Sequence, residues 1–388
     1  MPPTLRLPRS DGSLAPYTLS GRAAVEVPAG PIRSRIGMAA VHVVADPLAS
    51  IDPTLDVALD WDATLRYRHY VWSLGLAVAE AMDTSQRGMG FDWATARTLI
   101  TRTVAESRAV PGAVLASGAG TDQLEPGPRV TIADVEAAYE EQCAFIEAVG
   151  GRIILMASRA LAACAGGPDD YVKVYGRVLS QVREPVIIHW LGEMFDPALA
   201  GYWGSHDRDR QTETLLAIVQ EFAAKIDGVK ISLLDQQREI AMRRRFPMSV
   251  RMYTGDDFDY PTTIRGDGER HSDALLGIFD VIAPAAAAAL KALDAGDAAR
   301  YEAILAPTLP LSRHVFGAPT RFYKTGVVFA AFLNGHQSHF RMVGGLESAR
   351  SVVHLAGQLV LMDRAGLLRD PELAADRMRR LLAVAGVE

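Results

Sequence analysis

The stretch Asp227-Gly228-Val229-Lys230-Ile231-Ser232-Leu233-Leu234 is a short apolar run, entered through a glycine and left toward Asp235. It reads as a buried strand. Alternation puts Val229, Ile231 and Leu233 on one face and Lys230 and Ser232 on the other. A lysine in mid-strand between β-branched residues is unusual, because a buried ammonium is costly unless paired or neutralised. Two placements are open. On an edge strand Lys230 sits in solvent. If the apolar face packs on helices, Lys230 points into a barrel interior or a cleft. Desolvation there lowers a lysine pKa, and a neutral amine can attack a carbonyl. The surrounding chain favours the second placement.

Working outward, Gly37–Val44, Leu76–Met82, Gly112–Ala116, Arg152–Met156 and Pro185–Trp190 precede this stretch as strand-like runs. Ser249–Thr254 and a weaker run near Ala274–Asp280 follow it. Helical patterns lie between them. One spans Asp60–Leu76, one starts at a capping Asp92 and runs to about Ser107, and one opens at Thr131 with Asp134 in a capping-box-like start. Eight strands alternating with helices over roughly 250 residues predict an α/β fold, a (β/α)8 TIM barrel. The alternative is a doubly wound open sheet, but no G-x-G-x-x-G follows the first strand. Residues 1–35 are rich in Pro, Gly, Ser and Arg and read as an N-terminal extension with a small hairpin. The barrel takes 36–283, and 284–388 reads as a C-terminal helical region.

Composition narrows the class. The 388 residues are 49% hydrophobic and 22% charged, with a formal net charge of −6 and a pI near 5.9, an ordinary globular balance. Nothing points to a nucleic-acid partner; the one basic cluster, Arg243-Arg244-Arg245, reads as a solvated helix end. Cys143 and Cys164 stand in no metal-type spacing, which fits a reducing cytoplasm. The N-terminus has no basic-then-apolar signal pattern. The apolar run Val281–Leu290 contains Pro284 and is too short to span a bilayer. The expectation is a cytoplasmic protein with a small-molecule substrate and no membrane partner.

A barrel carries its site at the C-terminal ends of its strands. Here those ends are polar one after another: His42 and Asp46; Asp83, Thr84, Ser85, Gln86 and Arg87; Ser117; Ser158 and Arg159; His189 and Glu193; Lys230 and Ser232; Thr254, Asp256 and Asp257. Each alone is explained by a cap or a satisfied core group. As a set they point to an active site. Thr84 and Ser85 bring hydroxyls and N–H groups near a helix start, suited to an anion. His189, on the neighbouring strand, is placed to shuttle protons. Asp256 and Asp257 are read first as caps.

The order of these elements resembles the dihydrodipicolinate synthase and N-acetylneuraminate lyase superfamily of class I aldolases, over roughly residues 36–345. In that family the second strand ends in Gly-Thr-Thr-Gly-Glu; here the segment is Asp83-Thr84-Ser85-Gln86-Arg87. The fifth ends in Tyr-Asn-x-Pro-Gly; here it is His189-Trp190-Leu191-Gly192-Glu193. The sixth carries Gly-x-Lys, matched by Gly228-Val229-Lys230, and the seventh ends near Gly-Asp-Asp, matched by Gly255-Asp256-Asp257. Ala283-Pro284, Gly296-Asp297 and Tyr323-Lys324-Thr325-Gly326-Val327 match later family features. The resemblance implies a Schiff-base lysine at Lys230, a carboxylate-holding pair at Thr84 and Ser85, a proton relay at His189 and a homodimer or homotetramer. The lost glycine and glutamate, the histidine in the tyrosine's place and the absence of the arginine that follows Pro-Gly in synthases argue against dihydrodipicolinate synthesis itself. They imply a divergent branch known only as a domain of unknown function.

Two activities follow as expectations. The first is a Schiff-base lyase or aldolase acting on a 2-oxo acid or keto-sugar-type substrate. Lys230 is its nucleophile and His189 its general acid/base. Thr84, Ser85, Arg87, Arg159, Ser232 and Asp256 contact substrate, with no cofactor and no metal. The second is a metal-dependent barrel, a sugar isomerase or hydrolase, with His42, Asp46, His189, Glu193 and Asp256 as candidate ligands. No H-x-H or H-E-x-x-H spacing supports the second.

Overall fold

The strand bearing Lys230 is the sixth of eight parallel strands that close into a barrel in the computed structural model of the chain, which describes residues 2–387. A separate antiparallel hairpin of β1 (Thr4–Pro8) and β2 (Leu14–Thr18) precedes it. The barrel strands are β3 (Gly37–Ala40), β4 (Ala77–Glu80), β5 (Leu115–Ala119), β6 (Ile153–Leu155), β7 (Val186–Leu191), β8 (Ile226–Ser232), β9 (Arg251–Thr254) and β10 (Asp273–Leu276). Sequence neighbours pair in parallel throughout, and β10 closes on β3.

Helices α1 (Trp61–Ser73), α2 (Trp93–Ala109), α3 (Ile132–Ala148), α4 (Arg159–Cys164), α5 (Pro168–Gln181), α6 (Arg208–Glu221), α7 (Gln236–Arg245) and α8 (Tyr260–Arg265) fill the connections. Their starts follow side-chain chemistry. Asp60 accepts from the Ala63 N–H and Asp92 from the Thr95 N–H. Thr131 and Asp134 cap reciprocally, satisfying donors that a helix start otherwise leaves open.

The orientation of β8 follows from its alternation. Val229 and Ile231 are buried in the outer layer with Leu216 and Val219 of α6 and Met242 of α7. Burying each stabilises by roughly 1.5–3 kcal/mol. A one-residue slip would remove that burial and press Lys230 against the same apolar helices. Lys230 therefore faces the barrel interior. Gly228, below it, is needed where it stands: a Cβ there would lie 2.6 Å from the Tyr253 ring, which fills the barrel floor.

Two expectations need correction. The third barrel strand is Leu115–Ala119 rather than Gly112–Ala116. Gly112 has φ +78° and belongs to the turn, while Gly118 sits inside the strand, where a Cβ would lie 2.7 Å from the Ala81 carbonyl oxygen. The basic run at the end of α7 is not all solvated. Arg243 is buried and donates to the Thr263 carbonyl, Ser272 and Asp267.

After β10 the chain is helical: α9 (Ile278–Val281), α10 (Ala283–Asp294), α11 (Ala298–Leu305), α12 (Leu309–Val315), α13 (Tyr323–Leu333), α14 (Val352–Ala365) and α15 (Pro371–Val384). All eleven residues of α13 are buried. The N-terminal hairpin docks on this region. Tyr17 Oη and the Ser20 N–H both donate to Asp363 of α14, at 2.6 and 2.8 Å, and Leu5, Leu7 and Leu19 join the core of the C-terminal helices. No helix among the described residues is long and apolar enough to cross a membrane.

Candidate active site

Lys230 and His189 are register partners on adjacent parallel strands, and Leu191 pairs with Ser232 two residues further along. Strand parity turns Lys230, Ser232 and His189 inward, since Ile188 and Trp190 pack in the outer layer. His189 Nε2 lies 3.1 Å from Ser232 Oγ. Both ionisable groups are buried, at 4% and 1% exposure. Burial lowers the Lys230 ammonium below the usual lysine range, with Asp83 and Asp257 pulling the other way through space. Burial, reinforced by the Lys230 charge, holds His189 well below the usual histidine range, so its imidazole is neutral near pH 7.

Asp83, at the turn after β4, is the negative centre of the group. Burial alone would raise its carboxyl, but Lys230, Lys324 and His189 outweigh burial and hold it at about 2. Tyr323 Oη donates to Asp83 Oδ2 at 2.6 Å and lies 2.8 Å from Thr84 Oγ1. Asp83 Oδ1 is buried with no hydrogen-bond partner among the described residues. Asp257 is the opposite case. Burial pushes its carboxyl up to about 8, with the Ile278 N–H and Lys230 opposing, and it accepts from that N–H at 2.9 Å. Near pH 7, then, Asp83 is ionised and Asp257 is largely neutral.

A cavity of about 470 Å³ opens at this end of the barrel, with Asp83, His189, Lys324, Arg159, Arg87 and Met156 among its lining. Lys230 is not on its wall; it is coupled through space to Asp83 and His189, which are. Lys324, at the start of α13, is on the wall although only 2% exposed. Burial drives its ammonium down to about 8, with Asp83 and Asp196 opposing. Arg159 Nε pairs with Asp196 at 2.5 Å, and its Nη1 donates to the Gly88 carbonyl at 2.9 Å.

The remaining expected site residues fall in different places. Ser85 Oγ donates to the Val41 carbonyl at 2.7 Å, tying the turn to β3's continuation. Asp256 Oδ1 accepts from the Phe258 and Asp259 N–H groups and caps that turn. Arg87 commits every donor to protein: Nε and Nη2 to Asp122, Nη2 also to Gln142, and Nη1 to the Ala81 and Gly118 carbonyls. A guanidinium has five N–H donors, so none is left for a substrate. The candidate metal ligands do not converge. His42 Nδ1 is held by Asp280 at 2.7 Å, Glu193 pairs with Arg208, and Asp46 caps Leu48. No group of three or more His, Cys, Asp or Glu side chains among the described residues is arranged to hold a metal.

Residues 5–387 match the family described as "Protein of unknown function (DUF993)". The chain belongs to that family. No curated protein matches it. Among solved structures it is similar to YagE from E. coli K12, a prophage protein of the dihydrodipicolinic acid synthase family in complex with pyruvate. The identity is 14%, the TM-score is 0.66, and the match covers 86% of this chain and 99% of that one. It is similar also to a putative dihydrodipicolinate synthetase from Pseudomonas aeruginosa, at 16% identity and TM-score 0.62 over 86% and 100% of the two chains. A third is dihydrodipicolinate synthase from Aquifex aeolicus, at 14% and 0.60 over 91% and 98%. At these identities the likeness shows the fold. This member of the family therefore has the barrel that its motif order implied.

Three residues of the group went unselected by the sequence reading. In sequence Asp83 is one member of the polar set after the second barrel strand and carries no individual role. Tyr323 and Lys324 come from the C-terminal helices. A signal for Lys324 existed, since it is the one charged residue in the apolar run Tyr323–Leu333, the same anomaly that singles out Lys230.

Proposed function

We propose that this protein is a Schiff-base-forming lyase or aldolase acting on a 2-oxo acid or keto-sugar-type substrate, with Lys230 as the nucleophile. The observation that carries this reading is the pairing of an inward, buried Lys230 with a neutral His189 in register on the next strand. The neutral amine adds to the substrate carbonyl, and loss of water gives an iminium. The iminium nitrogen accepts the electron pair released when the adjacent carbon–carbon bond breaks, or supplies the enamine when one forms. Hydrolysis returns the amine. His189 moves the protons of these steps, and Ser232 orients its ring. Asp83 stabilises the cationic iminium. Thr84, bonded to Tyr323, keeps that phenol aimed at Asp83.

Pyruvate, present in the YagE complex, is the first oxo acid to try. Borohydride added with a panel of 2-oxo acids and keto-sugars, followed by peptide mass mapping, is expected to place a reduced adduct on Lys230. An adduct confined to another lysine would overturn the assignment. By family analogy the protein assembles as a homodimer or homotetramer, which sedimentation velocity measures.

A further inference from the structure

A carboxylate has no good place at the turn after β4. Ser85 Oγ is committed to the Val41 carbonyl, Thr84 Oγ1 to Tyr323, and the ionised Asp83 carboxylate stands beside them. An anionic substrate end brought there would meet a fixed negative charge, and like charges in a desolvated site repel by several kcal/mol. The unpartnered Asp83 Oδ1 calls instead for a donor, such as a substrate hydroxyl.

The uncommitted donors of the cavity are on Lys324 and Arg159. Lys324 is 2% exposed and lines the cavity. Its only protein acceptor among the described residues is the Arg321 carbonyl, at a long 3.3 Å, and its Nζ lies 4.4 Å from the Tyr323 ring centroid. An ammonium has three donors, so two remain uncommitted at a site nearly closed to solvent. Arg159 lines the same cavity. Asp196 and the Gly88 carbonyl take its Nε and Nη1, and Nη2 has no protein acceptor among the described residues. Asp196 beside Arg159 and Asp83 facing Lys324 offset the two positive charges through space, so what this wall offers an anion is its uncommitted N–H donors rather than a net charge.

We infer that Lys324 and Arg159 form an anion-binding subsite that takes a carboxylate or phosphate at the end of the substrate remote from the reacting carbonyl. Combined with the lyase reading, on which this substrate assignment rests, the substrate class is a hydroxylated oxo compound with a distal acidic group. Its acidic end meets Lys324 and Arg159 and its hydroxyl meets Asp83, with the carbonyl end directed past the cavity wall toward Lys230.

The subsite is testable without turnover. Calorimetric titration of the full chain with sodium phosphate and with sodium acetate at pH 7 is expected to show saturable binding of at least one. The stronger of the two identifies a phosphate or a carboxylate end. Lys324→Met is expected to weaken that binding at least tenfold and Arg159→Gln several-fold. Lys324→Arg and Lys230→Arg are expected to retain it, and Lys324→Arg also shows that position 324 tolerates replacement. Sulfate, which does not titrate, should bind less tightly as the pH rises through about 8, where Lys324 loses its proton among Asp83, Asp196, Arg159 and Lys230. That loss should vanish in Lys324→Arg. Wild-type protein that binds neither anion, or a folded Lys324→Met that binds as wild type, overturns the subsite. Intact anion binding with no trappable adduct on Lys230 would instead remove the imine chemistry and leave the subsite standing.

Discussion

Tyr323 donates a 2.6 Å hydrogen bond to Oδ2 of Asp83, joining the turn after β4 to a helix 240 residues later. Burial, and then the Asp83 charge, raise the Tyr323 phenol well above its usual range, so it stays a donor. Asp83 in turn opposes the lowering of both Lys230 and Lys324. Asp83→Asn removes that opposing charge. Both amines then lose their protons at lower pH, and the acid limb of kcat/KM against pH shifts to lower pH. A limb that stays put, or moves up, would show that Asp83 does not control the reactive amine.

Lys230→Arg keeps the charge but forms no imine. It is expected to fold, to be inactive and to give no borohydride adduct. Lys173, exposed on α5, is a sound internal control for the mapping. Lys324 is not, because it lines the same cavity. Near-normal turnover by Lys230→Arg would mean that the family resemblance describes the fold only.

His189→Phe should slow kcat by about 10²–10⁴-fold with little change in KM. Burial is kept by the ring, while the proton carrier beside Lys230 is lost. A loss confined to KM would make His189 a binding residue and send the search for the relay to Ser232.

Arg87→Ala is expected to act on stability. Removing the guanidinium strands Asp122, Gln142 and two backbone carbonyls, a loss of about 3 kcal/mol for a broken buried pair. It should appear as a lower urea midpoint. Arg87→Lys should recover little of it, since an ammonium cannot reproduce the fork. Unchanged stability with a raised KM would restore Arg87 to the substrate.

Activity is expected to survive exhaustive chelation. The five candidate ligands are each engaged by separate partners or scattered around the barrel mouth. Loss of turnover on chelation, restored by a stoichiometric divalent ion, would favour the isomerase or hydrolase reading.

The barrel was legible because each strand is a short apolar run closed by a polar or glycine turn, and because Asp60, Asp92 and Thr131 announce their helices. The third strand was displaced because Gly112 and Gly118 look alike in sequence; only the approach of Ala81 makes one a turn residue and the other part of the ladder. The inward aim of Lys230 could be reasoned from Val229 and Ile231. The company it keeps could not. Tyr323 and Lys324 reach the site through the packing of α13; the lone charge in that apolar run marks Lys324 as anomalous but does not say what it meets. Arg87 misled for a related reason: a guanidinium at a strand end looks free until Asp122 and Gln142 arrive from other segments.

The hairpin's attachment to Asp363 has a consequence for the chain's birth. Tyr17 finds its acceptor 346 residues later. At roughly 5–20 residues per second of synthesis, that interval is on the order of 20–70 s. Throughout it, Leu5, Leu7 and Leu19 have no C-terminal helices to cover them. The hairpin, made long before its partners, is thus among the last elements to find its place, and in the meantime it offers a short greasy strand pair to any chaperone that waits at the tunnel exit.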